Sequence, residues 1–110
     1  MPKNSLKTLS TSEIDAIAAR FRALGEASRL SLIKALSEGE RNVTDLVEIT
    51  GLNQPNVSRH LSVLVTAGLV GRRKDGIVVL YRIIDENLSG LCAIVCKSIY
   101  TQKKRNENKL

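Results

Sequence analysis

One hundred and ten residues, 43 % of them apolar, make one folded domain with a modest core rather than two domains or a disordered chain. Only Phe21, Tyr81 and Tyr100 are aromatic, so the core must be aliphatic; two cysteines, no signal-like apolar stretch at the start and no apolar run of about 18 residues exclude a disulfide scaffold and a membrane span and point to a reducing cytosol. The net charge of +6 asks for a polyanionic partner, nucleic acid or an acidic membrane surface, and its location along the chain decides between them.

Met1 to Leu9 is polar and basic and reads as a loose arm. Ser10-Thr11-Ser12-Glu13 is a capping box that opens a first helix, in which Ile14, Ile17, Ala18, Phe21 and Leu24 recur at helical spacing until Gly25. Leu30, Ile33 and Leu36, with Leu32 beside them, mark a second helix over about Ala27 to Ser37, closed by Gly39. Thr44 is the expected cap of a short third helix, with Asp45 in its first turn and Leu46, Val47 and Ile49 on its apolar side; Gly51 stops it. Only Gly51-Leu52-Asn53 precede the next pattern. Asn53 suits an N-cap, and Pro55 is tolerated in a first turn, where its missing N–H has no helical partner to lose. Val57, Leu61, Leu64 and Val65 fall on one face of this fourth helix, and Gly68 ends it.

Two helices joined by a three-residue turn containing glycine are the signature of a helix-turn-helix. Leu69 to Arg73 and Ile77 to Ile84 then flank Lys74-Asp75-Gly76, a hairpin signal, and Asp75 is given a backbone role in the turn. A helix-turn-helix followed by a basic hairpin is a winged helix. Asp85 is the expected cap of a last helix with Leu88, Leu91, Cys92, Val95 and Ile99 on one side, before Lys103-Lys104-Arg105 and a polar tail. The expected fold is thus mainly α with a small β-hairpin (α+β): a winged helix-turn-helix of about five helices and a two-stranded wing. Its expected organisation is a flexible arm over 1–9, the winged-helix DNA-binding and dimerisation domain over 10–101, and a basic flexible tail over 102–110.

On a helical wheel, the side of the fourth helix opposite its apolar face collects Pro55, Asn56, Arg59, Ser62 and Thr66, with Gln54 and Ser58 at one edge and His60 at the other. Short polar side chains plus one arginine suit a helix that enters a major groove, where arginine holds guanine bidentately and Gln or Asn does so for adenine. The alternative is a solvated face. Such faces are usually rich in Lys and Glu, and none occurs between Gln54 and Ala67, which favours contact. The hairpin carries Arg72, Arg73 and Lys74, with Arg82 on the return strand. These either protect an edge from aggregation or contact phosphate or minor groove; the adjacent polar helix favours the second. Residues 54–82 hold five basic side chains against Asp75 alone, whereas residues 11–53 are net acidic. This local patch favours double-stranded DNA on one face over a membrane surface. Much of the remaining charge lies in the two ends. An enzyme is poorly supported: His60 is the single histidine, and no nucleophile–base grouping or phosphate-binding glycine pattern is visible.

The stretch from about Phe21 to Ile83 resembles the ArsR/SmtB family of winged-helix repressors. The resemblance is carried by L-G-x-x-x-R-L from Leu24 to Leu30, V-S-R-H-L from Val57 to Leu61, A-G-L-V from Ala67 to Val70, and R-x-x-G from Arg73 with Tyr81 in the wing. It implies a cytoplasmic homodimer formed through the first and last helices and repression at an inverted-repeat operator. It also implies DNA contacts at Gln54, Pro55, Ser58 and Arg59 and in the wing around Arg73 and Lys74. Pro55 stands where the family often has serine; proline donates no hydrogen bond, so Asn56 is the substitute.

Family metal sites do not carry over. Asn42-Val43-Thr44 stands where arsenic-type and cadmium-type members have C-V-C, and Asn87 and Ser98 stand where zinc-type members have imidazoles, leaving Asp85 alone. Cys92 and Cys96 are four residues apart on the last helix, hence on one side of it. Their Cβ atoms would lie roughly 6 Å apart, against the ~3.8 Å of a disulfide, so they do not bond to each other within the helix. They are either small buried hydrophobes or candidate sensor thiols, brought together at a dimer interface for a thiol-reactive signal or a soft ion such as As(III), Cd(II) or Cu(I). Persulfide-sensing members use a second-helix cysteine that is missing here. No cofactor is required. The sequence thus supports a dimeric repressor, with or without thiol or metal sensing, against a winged-helix module that binds protein and never DNA.

Overall fold

The computed structural model describes residues 6–108. Met1 to Ser5 of the expected arm and the last two residues of the expected tail lie outside the described residues. A single 3-10 turn over Leu6–Thr8 precedes five α-helices and one two-stranded sheet in the order α1 (Thr11–Leu24), α2 (Ala27–Leu36), α3 (Val43–Thr50), α4 (Gln54–Thr66), β1 (Val70–Asp75), β2 (Val78–Ile83) and α5 (Leu88–Asn108).

The helix starts are set by local side-chain caps. Ser10 and Glu13 form the reciprocal capping box of α1: the Glu13 amide donates to Ser10 Oγ at 3.2 Å, and the Ser10 amide donates to Glu13 Oε1 at 2.9 Å. Asn42, not Thr44, caps α3, because its extended backbone lets Oδ1 accept from the Asp45 amide at 2.8 Å; the helix therefore starts at Val43. Asn53 caps α4 in the same way, accepting from the Asn56 amide at 2.9 Å, with Pro55 in the first turn. Between them Gly51 takes φ +75°, a left-handed backbone that reverses the chain in three residues and sets α4 across α3.

Three expected boundaries move. The turn of the wing is Gly76-Ile77, because Lys74 and Asp75 pair with Val79 and Val78 as strand residues. Gly76 has φ +66° at the first of the two central positions, the place a type II′ hairpin turn gives to glycine. Asp85 precedes α5 rather than starting it. Its carboxylate accepts from the Asn87 amide at 2.9 Å and is ion-paired with Arg20 of α1, so it fixes the entry of α5 against α1. The helix then continues through Asn108, and the boundary expected at residue 102 falls inside it.

The core is aliphatic throughout. Leu32 of α2, Leu46 of α3, Val57, Leu61 and Leu64 of α4, Leu69 and Val70 leading into the wing, and Leu88 of α5 are fully buried. The wing is anchored at its base by an isolated antiparallel bridge: the Arg41 and Tyr81 amides each donate to the other's carbonyl, at 3.1 and 2.8 Å. This ties the α2–α3 connection to β2. The apolar faces of α1 and α5 behave differently from the other helices. Ile14, Ile17 and Phe21 on α1, and Ile94, Val95 and Ile99 on α5, remain exposed in one protomer.

Candidate nucleic-acid interface

The amphipathic pattern of α4 divides it into two working sides. Val57, His60, Leu61 and Leu64 are buried, while Gln54, Pro55, Ser58, Arg59 and Ser62 are exposed and Asn56 is half-buried. The exposed residues form one stripe at the N-terminal end of the helix, next to the helix-turn-helix loop. Arg59 is steadied by its own turn, its NH2 donating to Asn56 Oδ1 at 2.8 Å. With the half-buried Asn56 beside it, the stripe presents one guanidinium, two side-chain amides and two hydroxyls. It lacks carboxylates, and it matches the donor and acceptor edges that base pairs show in a major groove.

His60 does not belong to that stripe. It is 7 % exposed and faces the body of the domain, so the expectation that it contacts DNA is corrected. Its Nδ1 lies 3.2 Å from Arg29 NH1, and its Nε2 lies 3.1 Å from Glu26 Oε2. Arg29 also donates to two carbonyls in the last turn of α1, those of Ala23 (2.6 Å) and Arg22 (3.0 Å), the second of which also accepts from the Gly25 amide at 3.3 Å. Glu26 caps α2, accepting from the Ser28 amide at 3.0 Å. That backbone hydrogen bond, reinforced by His60 and Arg29, holds the Glu26 carboxyl below its ordinary pKa against the opposing effect of burial. One hub of three side chains therefore joins the end of α1, the start of α2 and the middle of α4. The sequence carried a signal for it: His60 stands three residues after Val57 and four before Leu64, at the edge of the polar side that adjoins the apolar face. Arg29 stands in the L-G-x-x-x-R-L motif and Glu26 in one of its variable positions, but nothing local links either of them to His60.

In the wing, Arg72, Arg73 and Lys74 are all exposed. Arg72 and Lys74 pair across the sheet with Tyr81 and Val79, so alternation puts them on one face and Arg73 on the other. Arg73 is engaged: its Nε and NH2 donate to the two carboxylate oxygens of Glu40 at 2.8 and 2.9 Å, a bidentate pair. The hydrogen bond from Arg73 holds the Glu40 carboxyl below its ordinary pKa, with the charges of Arg73 and Arg82 adding to it, and Arg73 is correspondingly raised. Asp75 is a strand residue opposite Val78.

Cys92 is half-buried against the core and Cys96 is exposed. Both line an open apolar groove of about 550 Å³ with Phe21 and Leu24 of α1, Leu30 and Ile33 of α2, and Val95 and Ile99 of α5. Among the described residues, no three His, Cys, Asp or Glu side chains are grouped to hold a metal ion, and no helix is long and apolar enough to cross a membrane.

The comparisons with known proteins agree with this geometry. A family model described as a bacterial regulatory protein of the arsR family matches residues 26–71, which span the hub, the helix-turn-helix and the start of the wing. The chain is 39 % identical over 89 residues to a probable mercury resistance operon repressor of Streptomyces lividans, covering 76 % of this chain and 71 % of that protein. It is 38 % identical over 76 residues to the transcriptional repressor SmtB of Mycobacterium tuberculosis, covering 69 % of this chain but only 56 % of that protein. In three dimensions it matches the homodimeric winged helix-turn-helix DNA-binding domain of a possible ArsR-family regulator from Mycobacterium bovis. The TM-score is 0.77 and the identity 30 %, over 96 % of this chain and 95 % of that one. With helix-turn-helix, wing and sequence all in register, the chain belongs to the ArsR/SmtB family of winged helix-turn-helix transcriptional regulators.

Proposed function

We propose that this chain is a cytoplasmic repressor, not an enzyme, that binds an inverted-repeat operator as a homodimer. Two copies of α4 enter successive major grooves and the wings hold flanking phosphates. The observation that carries the reading is the exposed Gln54–Ser62 stripe, set on a helix whose opposite side is pinned to α1 and α2 through His60. Within it Gln54, Asn56, Ser58, Arg59 and Ser62 supply the polar contacts, and Pro55 supplies van der Waals contact only. Arg72 and Lys74 are the available wing cations, since Arg73 is held by Glu40. The dimer is supported by the uncovered apolar residues of α1 and α5 and by the homodimeric neighbour of the same fold. Twofold symmetry spaces the half-sites about one helical turn, ~34 Å, apart. The reading requires no cofactor.

The test is footprinting and titration on the native upstream region. The wild type should protect an inverted repeat, and Arg59→Ala should lose on the order of 1–3 kcal/mol of operator binding with relaxed base preference. Absence of any protected repeat, in reduced and oxidised protein alike, overturns the reading. A second reading, that repression responds to a thiol-reactive signal or soft metal ion, is favoured by one observation: Cys92 and Cys96 line one groove with residues of α1 and α2.

A further inference from the structure

A second groove, open and about 720 Å³ in volume, lies between α1 and α4 beside the polar stripe. Its floor is small and apolar, made by Ala19, Ala23, Val63 and Ala67. Its charged lining is all of one sign: Arg22, Arg29 and Arg59, with the hydroxyls of Ser62 and Thr66 and no carboxylate. The three guanidiniums are not equivalent. Arg29 is spent on two backbone carbonyls and His60, and Glu26 lies 3.8 Å from it. Arg59 gives one N–H to Asn56, and the rest of its fork has no partner among the described residues. Arg22 is exposed, and its side chain has no hydrogen bond or ion pair among the described residues. A cation in the last turn of α1 is favoured by the helix dipole, but that accounts for one charge and not for a groove whose charged lining is all cationic.

We infer that this groove seats a DNA backbone phosphate, with Arg22 as its principal ligand, extending the DNA face from α4 onto α1. The inference rests on the reading of α4 as the DNA-contacting helix. Arg59 and Ser62 belong both to the groove and to the polar stripe, so a duplex seated on that stripe passes over the groove. A guanidinium fork matches a phosphate bidentately, and hydroxyls also donate to phosphate oxygens. The groove's openness suits a backbone that runs across it.

The experiment is a salt titration of binding to operator and to unrelated duplex by the wild type, Arg22→Gln and Arg22→Lys, with dimerisation checked by sedimentation. Each phosphate contact contributes about 0.9 to the slope of log affinity against log salt, so Arg22→Gln should lower the slope of a dimer by about 1.8. At 0.15 M salt the same change weakens binding about 30-fold, on both duplexes equally. Arg22→Lys should restore most of it. An unchanged slope in Arg22→Gln, or a loss confined to the operator, overturns the inference while leaving the DNA-binding reading intact. Failure of the wild type to bind any duplex overturns that reading instead.

Discussion

Arg73 shows how a single residue's partner changes its meaning. Read along the chain it is one of three consecutive wing cations, and in the folded protein its fork is closed on Glu40. The wing's free charge is therefore smaller than its composition, and the pair braces the wing against the α2–α3 connection. The lowered Glu40 pKa gives this a pH signature. A carboxyl whose pKa is depressed on folding adds stability that is present above its ordinary value of 4.5 and is lost as pH falls through the depressed value. Glu40→Gln should accordingly lower the melting temperature slightly at pH 7, and the gap from wild type should close toward pH 3. Melting curves across that range check it; a gap of constant size would mean that the ion pair is not its source. His60 carries the same lesson in reverse. Its identity suggested a polar contact and its helical phase put it at the edge of the polar side, whereas the packing of α4 on α1 and α2 buries it.

The helices themselves were legible because their signals are local. The capping box at Ser10, the Asn53 cap with Pro55 in the first turn, and the left-handed Gly51 are all settled within a few residues of chain. The third helix shows the limit of such signals. Asn42 and Thr44 are both plausible caps by residue type, and the choice fell to Asn42 because its backbone is extended and its Oδ1 reaches the Asp45 amide. Asn53 matters beyond its own helix, since it starts the helix that presents the polar stripe. Asn53→Ala should cost about 1 kcal/mol in urea unfolding, and Asn53→Asp, which keeps an accepting oxygen, should lose much less. Equal losses in the two variants would show that the hydrogen bond to Asn56 is not what sets the start of α4.

At the scale of the whole molecule, one protomer leaves large apolar side chains of α1 and α5 uncovered. Phe21 is 54 % exposed and Ile99 55 %, although both lie on the apolar sides of their helices. Sequence periodicity identified these faces but could not say whether they pack inward or against a second copy. The fold answers half of that question: Ala23 and Leu24 of α1 and Leu88 of α5 join α2, α3 and α4 in the core, while Phe21 and Ile99 stay outside it. If a second copy covers this surface, a bulky group on the thiols that line it should prevent assembly. Maleimide-modified wild type should run as a monomer in sedimentation and lose operator affinity, while the Cys92→Ser/Cys96→Ser double variant, equally treated, remains dimeric and binds. A modified wild type that stays dimeric removes this groove from the interface.

The division between sequence and tertiary structure follows the range of the interactions. By itself the sequence determined the five helices, the helix-turn-helix, the wing and the local basic patch over residues 54–82, because caps, glycines and apolar spacing act within a few residues. Only the fold decided which charges are free. Arg29 meets His60 across 31 positions, Glu40 meets Arg73 across 33 and Arg20 meets Asp85 across 65. No local pattern encodes such partners; they are chosen by the packing of aliphatic side chains that brings distant segments together. That packing turns His60 from a candidate DNA contact into a brace. It occupies Arg73, and it leaves Arg22 unpaired among the described residues, beside the helix proposed to read DNA.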